Sequence, residues 1–320
     1  MIHTGQFYLI LNEDEINYIQ RKYNENINLI NEKINNEYKE IGISVSFYTR
    51  YRKCYMFLTV DFIKLINKND ISEEDYCLID NTIKEVLGML FGYALEMTLI
   101  RIDYRLDIKI ENENDKKFIL KAIDKFKCKY RFKKKFNKYD SCKYFNSKSV
   151  QFKVYDKVKE RKEKGERIEE YEKDVLRFEI ALRNRHLNYK KNKKGFTKEL
   201  KTYLNNDFYL DYFKEIFDGI FYYGDFMKIY VADRILNEST LKKKDKEELR
   251  EFLIDLTKKN NVDKVLLIAN ENGEKKYSDY KYKKIINLLN SMNINPVLIP
   301  KNLKGTSSII KNPFKTLIKN

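Results

Sequence analysis

The sequence predicts an α+β fold: an antiparallel sheet with helices on one face, followed by a mainly helical C-terminal part. Three observations lead there. Up to about residue 190, segments with alternating polarity are separated by segments with helical spacing. Over 197–257 and 279–292 the spacing is helical. The 320 residues are 42% hydrophobic, enough for a sizeable core and about two domains at roughly 150 residues each. The expected division is 1–195 and 196–320.

Residues 5–11 (GQFYLIL) read as a short strand. Residues 13–38 carry Ile16, Ile19, Tyr23, Ile27, Ile30 and Ile34 at helical spacing, which predicts one long amphipathic helix. Residues 43–50 and 54–63 are rich in strand formers, with RYRK between them as a hairpin turn. Ser72 followed by Asp75 resembles a capping box, and the helix it opens fades near Gly92. A long strand follows from Leu99 to Ile110.

A second pass begins with a helix over 115–127. Strands are expected over 141–146 and 149–156, with a tight turn at Ser147–Lys148. A charged helix or loop spans 157–172, and a further strand covers 175–183. The order βαββαβ, then αββ(α)β, reads as a duplicated ferredoxin-like arrangement sharing the strand near 102–110. Beyond the basic hinge Lys190–Lys194, helices are expected over 197–257, broken near Asn237–Ser239. Another helix covers 279–292, and an extended tail starts at Asn295-Pro296-Val297.

Composition removes several function classes. No stretch approaches the ~18 apolar residues of a membrane span. MIHTGQFYLI does not read as a secretory leader, so the expectation is a cytoplasmic protein. Cys54, Cys77, Cys128 and Cys142 form no CxxC pair and read as small, half-buried hydrophobes. The only histidines are His3 and His186, which excludes most His-based metal sites and Ser-His-Asp triads. Phosphate-binding and dinucleotide-binding glycine motifs are absent.

The formal net charge of +16 points to a polyanionic partner. Lys, Asn, Ile and Tyr abound, as AT-rich coding favours, so the distribution of charge weighs more than its total. Lys127 to Arg167 holds sixteen Lys/Arg against five Asp/Glu, interleaved with Tyr130, Phe132, Phe136, Tyr139, Tyr144, Phe145 and Phe152. Cations neutralise phosphates and rings stack on bases, so this stretch, Lys133, Lys134 and Lys135 included, is a candidate DNA contact.

Three strands carry the candidate chemistry, because alternate strand residues share a face. In 101–110 the polar face is Arg101, Asp103, Arg105, Asp107 and Lys109. In 150–157 it is Gln151, Lys153, Tyr155 and Lys157. In 176–183 it is Arg177, Glu179 and Arg183. If the hydrophobic faces bury together, the polar faces share a side. Two or three carboxylates make an oxygen-rich site suited to Mg²⁺ or Mn²⁺. A tyrosine beside two lysines is a candidate nucleophile. An ordinary solvated face with cross-strand ion pairs is the competing reading.

The strings RIDYRLD (101–107), YFNSKSVQFKVYDKVKE (144–160) and LRFEIALRNRHL (176–187) resemble, in the same order, motifs of rolling-circle replication initiators. The similarity is to the plasmid replication-initiation-factor type and to the related filamentous-phage initiators. YKYKKIINLLNSMNINPVLIP (280–300) is similar to the helix and tail of the phage-type members. The resemblance implies a Rep-nuclease-like catalytic nicking domain over 1–195. Residues 196–320 are a candidate origin-binding module, because helix 279–292 opens on Tyr280, Lys281, Lys283 and Lys284, as a major-groove reading helix does and as an ordinary surface helix also can. The resemblance also implies a tyrosine that attacks a phosphodiester at the origin, forms a 5′-phosphotyrosyl link and frees a 3′-OH. Carried over, Tyr155 is the nucleophile, with Tyr144 the alternative. Lys157 stabilises charge on the phosphate, and Asp103, Asp107 and Glu179 hold Mg²⁺ or Mn²⁺. Lys153, Arg177 and Arg183 are expected to contact DNA, although Arg177, Arg183 and Arg185, which flank Glu179, could pair with the carboxylates instead of phosphate; His186 is expected at the surface, with contact to DNA or metal the alternative. The wider superfamily's His-hydrophobe-His metal pair is absent here. The implied partners are origin DNA, single-stranded or hairpin, and a host helicase. Two other readings stay open: a non-catalytic repressor or accessory origin binder, and a metal-dependent nuclease using water.

Overall fold

In the computed structural model the described residues are 1–126, 133–134 and 142–317. The chain starts with β1 (Ile2–Leu11), α1 (Glu13–Tyr23), α2 (Ile27–Tyr38), β2 (Ile43–Arg50), β3 (Lys53–Asp61), α3 (Phe62–Leu65), α4 (Tyr76–Phe91) and β4 (Thr98–Lys109). It continues with α5 (Glu113–Ile123), β5 (Lys133–Lys134), β6 (Cys142–Asn146), β7 (Val150–Asp156), α6 (Lys157–Lys164) and β8 (Val175–Arg183). Then follow α7 (Asn184–Lys194), α8 (Leu200–Tyr203), α9 (Asn206–Ile220), β9 (Phe226–Met227), α10 (Ile229–Glu238), α11 (Lys243–Lys259), α12 (Val262–Val265), α13 (Asp279–Ser291) and β10 (Ile309–Ile310). The α+β class is as the alternation predicts. The main sheet runs β2-β3-β1-β4-β8-β7-β6-β5. No helix among the described residues is long and apolar enough to cross a membrane.

Local chemistry explains the boundaries. The helix expected over 13–38 is two helices, because Asn24 takes a left-handed φ of 47° and caps α1. Asn12 and Glu15 close a reciprocal capping box at the start of α1. The RYRK turn is a two-residue hairpin with Tyr51 and Arg52 both at positive φ, 49° and 60°, which matches the twist of the flanking strands. The Asp61 carboxylate ends β3 by capping α3. The Ser72–Asp75 box forms as predicted, and Gly92, at φ 83°, terminates α4.

The chain packs as two compact units. The first comprises residues 1–106, 147–152 and 178–211, and the second 107–146, 153–177 and 212–320. In the first unit, β1 pairs antiparallel with β3 and β4, and β3 pairs with β2. Its core sets Phe7, Leu9, Met56 and Leu58 of the strands with Ile79, Ile83, Leu87 and Leu90, the buried stripe of α4.

In the second unit a ring cluster forms the core. Phe126 meets Phe221 and Tyr222 edge-on at 5.5 Å, and Phe221 lies 4.9 Å from Phe217 and 4.4 Å from Phe314. The predicted extended tail is held here, through β10 pairing with β9. Gly224 packs so closely on the tail that an added Cβ would lie 2.1 Å from the Ile294 carbonyl carbon. Among the cysteines, Cys54 and Cys142 are buried, while Cys77 is exposed rather than half-buried. Cys128 lies outside the described residues.

Candidate active site

The N-S-x-S string is a structural device. The Ser147 amide and hydroxyl both donate to the Val150 carbonyl, at 2.8 and 2.9 Å, and the Val150 amide donates back to the Ser147 hydroxyl at 2.9 Å. This closes the β6–β7 turn. β7 then alternates, with Phe152, Val154 and Asp156 on one side and Gln151, Lys153 and Tyr155 on the other. Asp156 caps α6 by accepting from the Lys159 amide, and its carboxylate lies 3.4 Å from the buried Lys116 ammonium.

Where β7 runs into α6, a pocket of about 230 Å³ is lined by Cys142, Tyr144, Lys153, Tyr155, Glu160, Glu163 and Lys164. Both candidate nucleophiles line it, Tyr155 buried and Tyr144 half-buried. Glu160, Glu163 and Lys164 were missed in the sequence reading. The signal was available: a helix opened at Asp156 brings positions 160, 163 and 164 to one side at i, i+3, i+4 spacing.

Lys157 is not among the residues that line this pocket. Its side chain is buried, its Nζ lies 5.9 Å from the Tyr155 ring centre, and it pairs with Glu160 at 2.7 Å and Glu172 at 3.5 Å. Burial pushes its ammonium below the ordinary lysine range, against the pull of Glu160. Glu160 is drawn the other way: burial raises its carboxyl, but Lys157 and Lys164 outweigh that and hold it below the usual range. Its two oxygens serve the two lysines separately. Glu172, fully buried, accepts from Arg161 Nε and Nη2 and so ties α6 to the segment before β8.

The predicted carboxylates have arginine partners. Arg101 donates from Nε and Nη2 to the two oxygens of Asp103, both at 2.8 Å. Arg177 does the same to Asp107, at 2.7 and 2.9 Å. The second pair puts the Arg177–Glu179 side of β8 on the Asp107 side of β4. Arg183 donates to Gln151 at 3.0 Å, which matches the polar side of β8 to that of β7. This side is not solvated at β8, where Arg177 is 1% and Glu179 5% exposed.

Mg²⁺ and Mn²⁺ need several uncommitted oxygens. Asp103 and Asp107 each have both oxygens on a guanidinium, and no three His, Cys, Asp or Glu side chains gather into a metal-holding group among the described residues. In this arrangement the carboxylates do not fit a preformed ion site. Asp107 is also not among the residues lining the Tyr155 pocket.

The remaining predicted contacts divide. Lys153 lines the Tyr155 pocket, Arg177 is committed to Asp107, and Arg183 to Gln151. His186, expected at the surface, is 8% exposed. Lys133 and Lys134 form β5, paired with Asn146 and Phe145, while Lys135 lies outside the described residues. Lys281 and Lys284 of α13 pair with Glu248 and Asp245 of α11, so these charges of the predicted reading helix are compensated.

Residues 84–205 match a family model that describes the N-terminal part of a phage replication-associated protein. No curated protein matches the chain. The matched stretch contains all three motif strings and both candidate tyrosines. Over this stretch the match supports a likeness to phage rolling-circle replication initiators.

Proposed function

We propose that this protein nicks and rejoins one DNA strand at a rolling-circle origin, with Tyr155 as the nucleophile. The observation that carries this reading is the pocket around Tyr155, which offers two lysines and two glutamates to an incoming phosphodiester inside the family-matched stretch. Tyr155 Oη attacks the scissile phosphorus, a P–Oη ester forms, and the bond from phosphorus to the 3′ oxygen breaks. The phenolic proton passes to Glu163, which lines the same pocket as Tyr155. The leaving oxygen takes a proton from water and becomes the priming 3′-OH. Lys153 and Lys164 stabilise the charge that builds on the phosphoryl oxygens. Buried Lys157 holds Glu160 and the base of the ring, a positioning role. Reversal of the same step rejoins the strand.

Dependence on Mg²⁺ or Mn²⁺ is a further part of this proposal, although Asp103 and Asp107, each clasped by a guanidinium, offer no preformed site for the ion. A host helicase is the partner that would open the duplex ahead of the primed end.

The test is a labelled single-stranded origin oligonucleotide with Mg²⁺, Mn²⁺ or a chelator, resolved on a denaturing gel. A covalent adduct that forms with wild type and Tyr144→Phe, and vanishes in Tyr155→Phe, is the expected result. An adduct lost in Tyr144→Phe instead moves the nucleophile to that residue. Cleaved DNA without adduct indicates a water-using nuclease, and intact bound DNA a non-catalytic origin binder. Adduct formation that persists in chelator removes the metal from the proposal.

A further inference from the structure

The first unit's sheet carries aromatic side chains in register on the side opposite its core. Along β1, β3 and β2 the core side holds Phe7, Leu9, Met56, Leu58 and Val45. Alternation puts Tyr8 and Ile10, Tyr55 and Phe57, and Tyr48 on the other side. The register makes them neighbours. Tyr48 stands opposite Tyr55, which stands opposite Ile10; one row along, Phe57 stands opposite Tyr8. Tyr48 is 55% and Ile10 51% exposed, and the other three are half-buried. The Tyr8 and Tyr55 ring centres are 6.3 Å apart with planes tilted by 55°, a stepped surface rather than a mutually stacked pair.

Tyrosines on a solvated strand face are common enough to need no function. The charge around these ones is less ordinary. β1, β2 and β3, of 10, 8 and 9 residues, contain one acidic residue, Asp61, at the far end of β3. Cations border the rings instead. Arg50 and Lys53 face each other one row beyond Tyr48 and Tyr55, on the same side. At the hairpin tip the Arg50 guanidinium lies 4.7 Å from the ring centre of Tyr51, which is 80% exposed. Lys198 places its Nζ 5.9 Å from the Tyr8 ring centre. Partly exposed rings bordered by cations, on strands that carry a single acid, complement a chain that presents flat bases on one side and phosphates on the other.

We propose that Tyr8, Tyr48, Tyr55 and Phe57 form a stacking platform for single-stranded DNA, with Arg50, Lys53 and Lys198 taking the phosphates alongside. Choosing DNA as the strand rests on the proposed function, whereas the platform itself does not depend on the chemistry at Tyr155. Such a surface would hold the strand without reading its sequence, since every base has a face to stack.

The test uses the full chain carrying Tyr155→Phe, so that no adduct can form, and follows the anisotropy of a labelled oligothymidylate of about 20 nucleotides. Each of Tyr48→Ala, Tyr55→Ala and Tyr8→Ala should weaken binding roughly 5- to 100-fold. Tyr48→Phe and Tyr55→Phe, which keep the ring, should bind within about twofold of the parent, and Tyr48→Leu should behave as the alanine variant. Affinity for a duplex of the same length should change by less than about threefold, because paired bases cannot stack on the sheet. A thermal melt with unchanged midpoint separates lost contacts from lost fold; Tyr48, the most exposed of the three, is the variant to rely on if Tyr8→Ala melts early. Unchanged single-strand affinity in Tyr48→Ala and Tyr55→Ala overturns the platform, as does equal weakening for duplex. Oligouridylate bound as tightly as oligothymidylate overturns the assignment to DNA. Nicking by the otherwise wild-type chain is measured separately, so a failed nicking assay and a failed platform are told apart.

Discussion

The second unit holds two clusters of buried polar groups, and they are built on opposite principles. Around Tyr155 the polar atoms come from side chains. Lysines and carboxylates pair with each other, and Lys164, 55% exposed, can exchange its Glu160 partner for a ligand. Around Asp225 the polar atoms are spent on backbone. The Asn312 amide group donates to the carbonyls of Tyr222, Tyr223 and Gly224, at 2.6, 3.0 and 3.2 Å. Asn295 donates to the Gly224 carbonyl at 3.1 Å and accepts from the Val297 amide at 3.0 Å. Asp225 accepts from the Asn312 amide and from Asn293 Nδ2, both at 2.7 Å, and pairs with Lys315 at 2.8 Å. Burial of polar side chains therefore does not mark chemistry by itself. What matters is whether the partners are groups that a ligand can replace. Side-chain pairs open to a pocket can be replaced, while carbonyls of the protein's own chain cannot.

Breaking the second cluster should cost stability and nothing else directly. Gly224→Ala has the largest expected effect, because a methyl group 2.1 Å from one backbone atom and 2.4 Å from the next cannot be relieved by a rotamer change. The chain must separate there, at about 3 kcal/mol or more. Urea or thermal unfolding of the variant measures it, and a loss under about 1 kcal/mol would mean the tail is not clamped as described.

Asp225→Asn should have an intermediate effect with a distinctive pH dependence. Burial pushes the Asp225 carboxyl up, but the Asn312 amide, Lys315 and Asn293 outweigh burial and hold it below the usual carboxylate range. A carboxyl with a depressed folded-state value contributes fully above its unfolded value, near 3.9, and the contribution is lost as pH falls through the folded value. The variant should be about 1–3 kcal/mol less stable at neutral pH. That gap should close in acid below about pH 4. A gap of constant size from pH 7 to pH 3 would assign the stabilisation to geometry rather than charge.

Much of the fold is legible in the sequence because its signals are local. Alternation gives β4, β7 and β8 nearly to the residue, and Ser72–Asp75 and Gly92 bound their helix as read. The split of the first helix was missed because Asn24 acts through a positive φ, and Asn is tolerated inside a helix as well as at its end. The candidate site is only partly legible. The strand alternation puts Tyr155 and Lys153 on one side of β7, where both line one pocket, and it leaves open whether Asp103 and Asp107 meet a ligand or an arginine. Asp107's partner, Arg177, is 70 residues away, and no local pattern encodes the pair. Glu160, Glu163 and Lys164 belong to a charged stretch that also reads as a solvated surface, and only the Asp156 cap turns it into one wall of a pocket.

Two lysines give the finest test of the contrast between the clusters. Lys164 and Lys315 are both partly exposed, at 55% and 31%, and each is paired with a carboxylate in the same unit. If the Tyr155 pocket receives DNA phosphate, Lys164 exchanges Glu160 for that phosphate and releases a condensed counterion. Lys164→Gln should then reduce the slope of log affinity against log salt by about 1 for a single-stranded oligonucleotide. Its effect on stability should stay within about 1 kcal/mol, as for any exposed ion pair. Lys315→Gln should show the reverse: no change in salt slope, and a stability loss most visible above the acid transition of Asp225, where the carboxylate it serves is charged. Equal slope changes in both variants would mean that the lysines report only the general positive field of a +16 chain. A Lys164→Gln slope identical to wild type would mean that the pocket's lysines stay with their glutamates when DNA binds. The phosphoryl oxygens would then have to be met by Lys153 alone, and Lys153→Gln would become the variant that carries the slope.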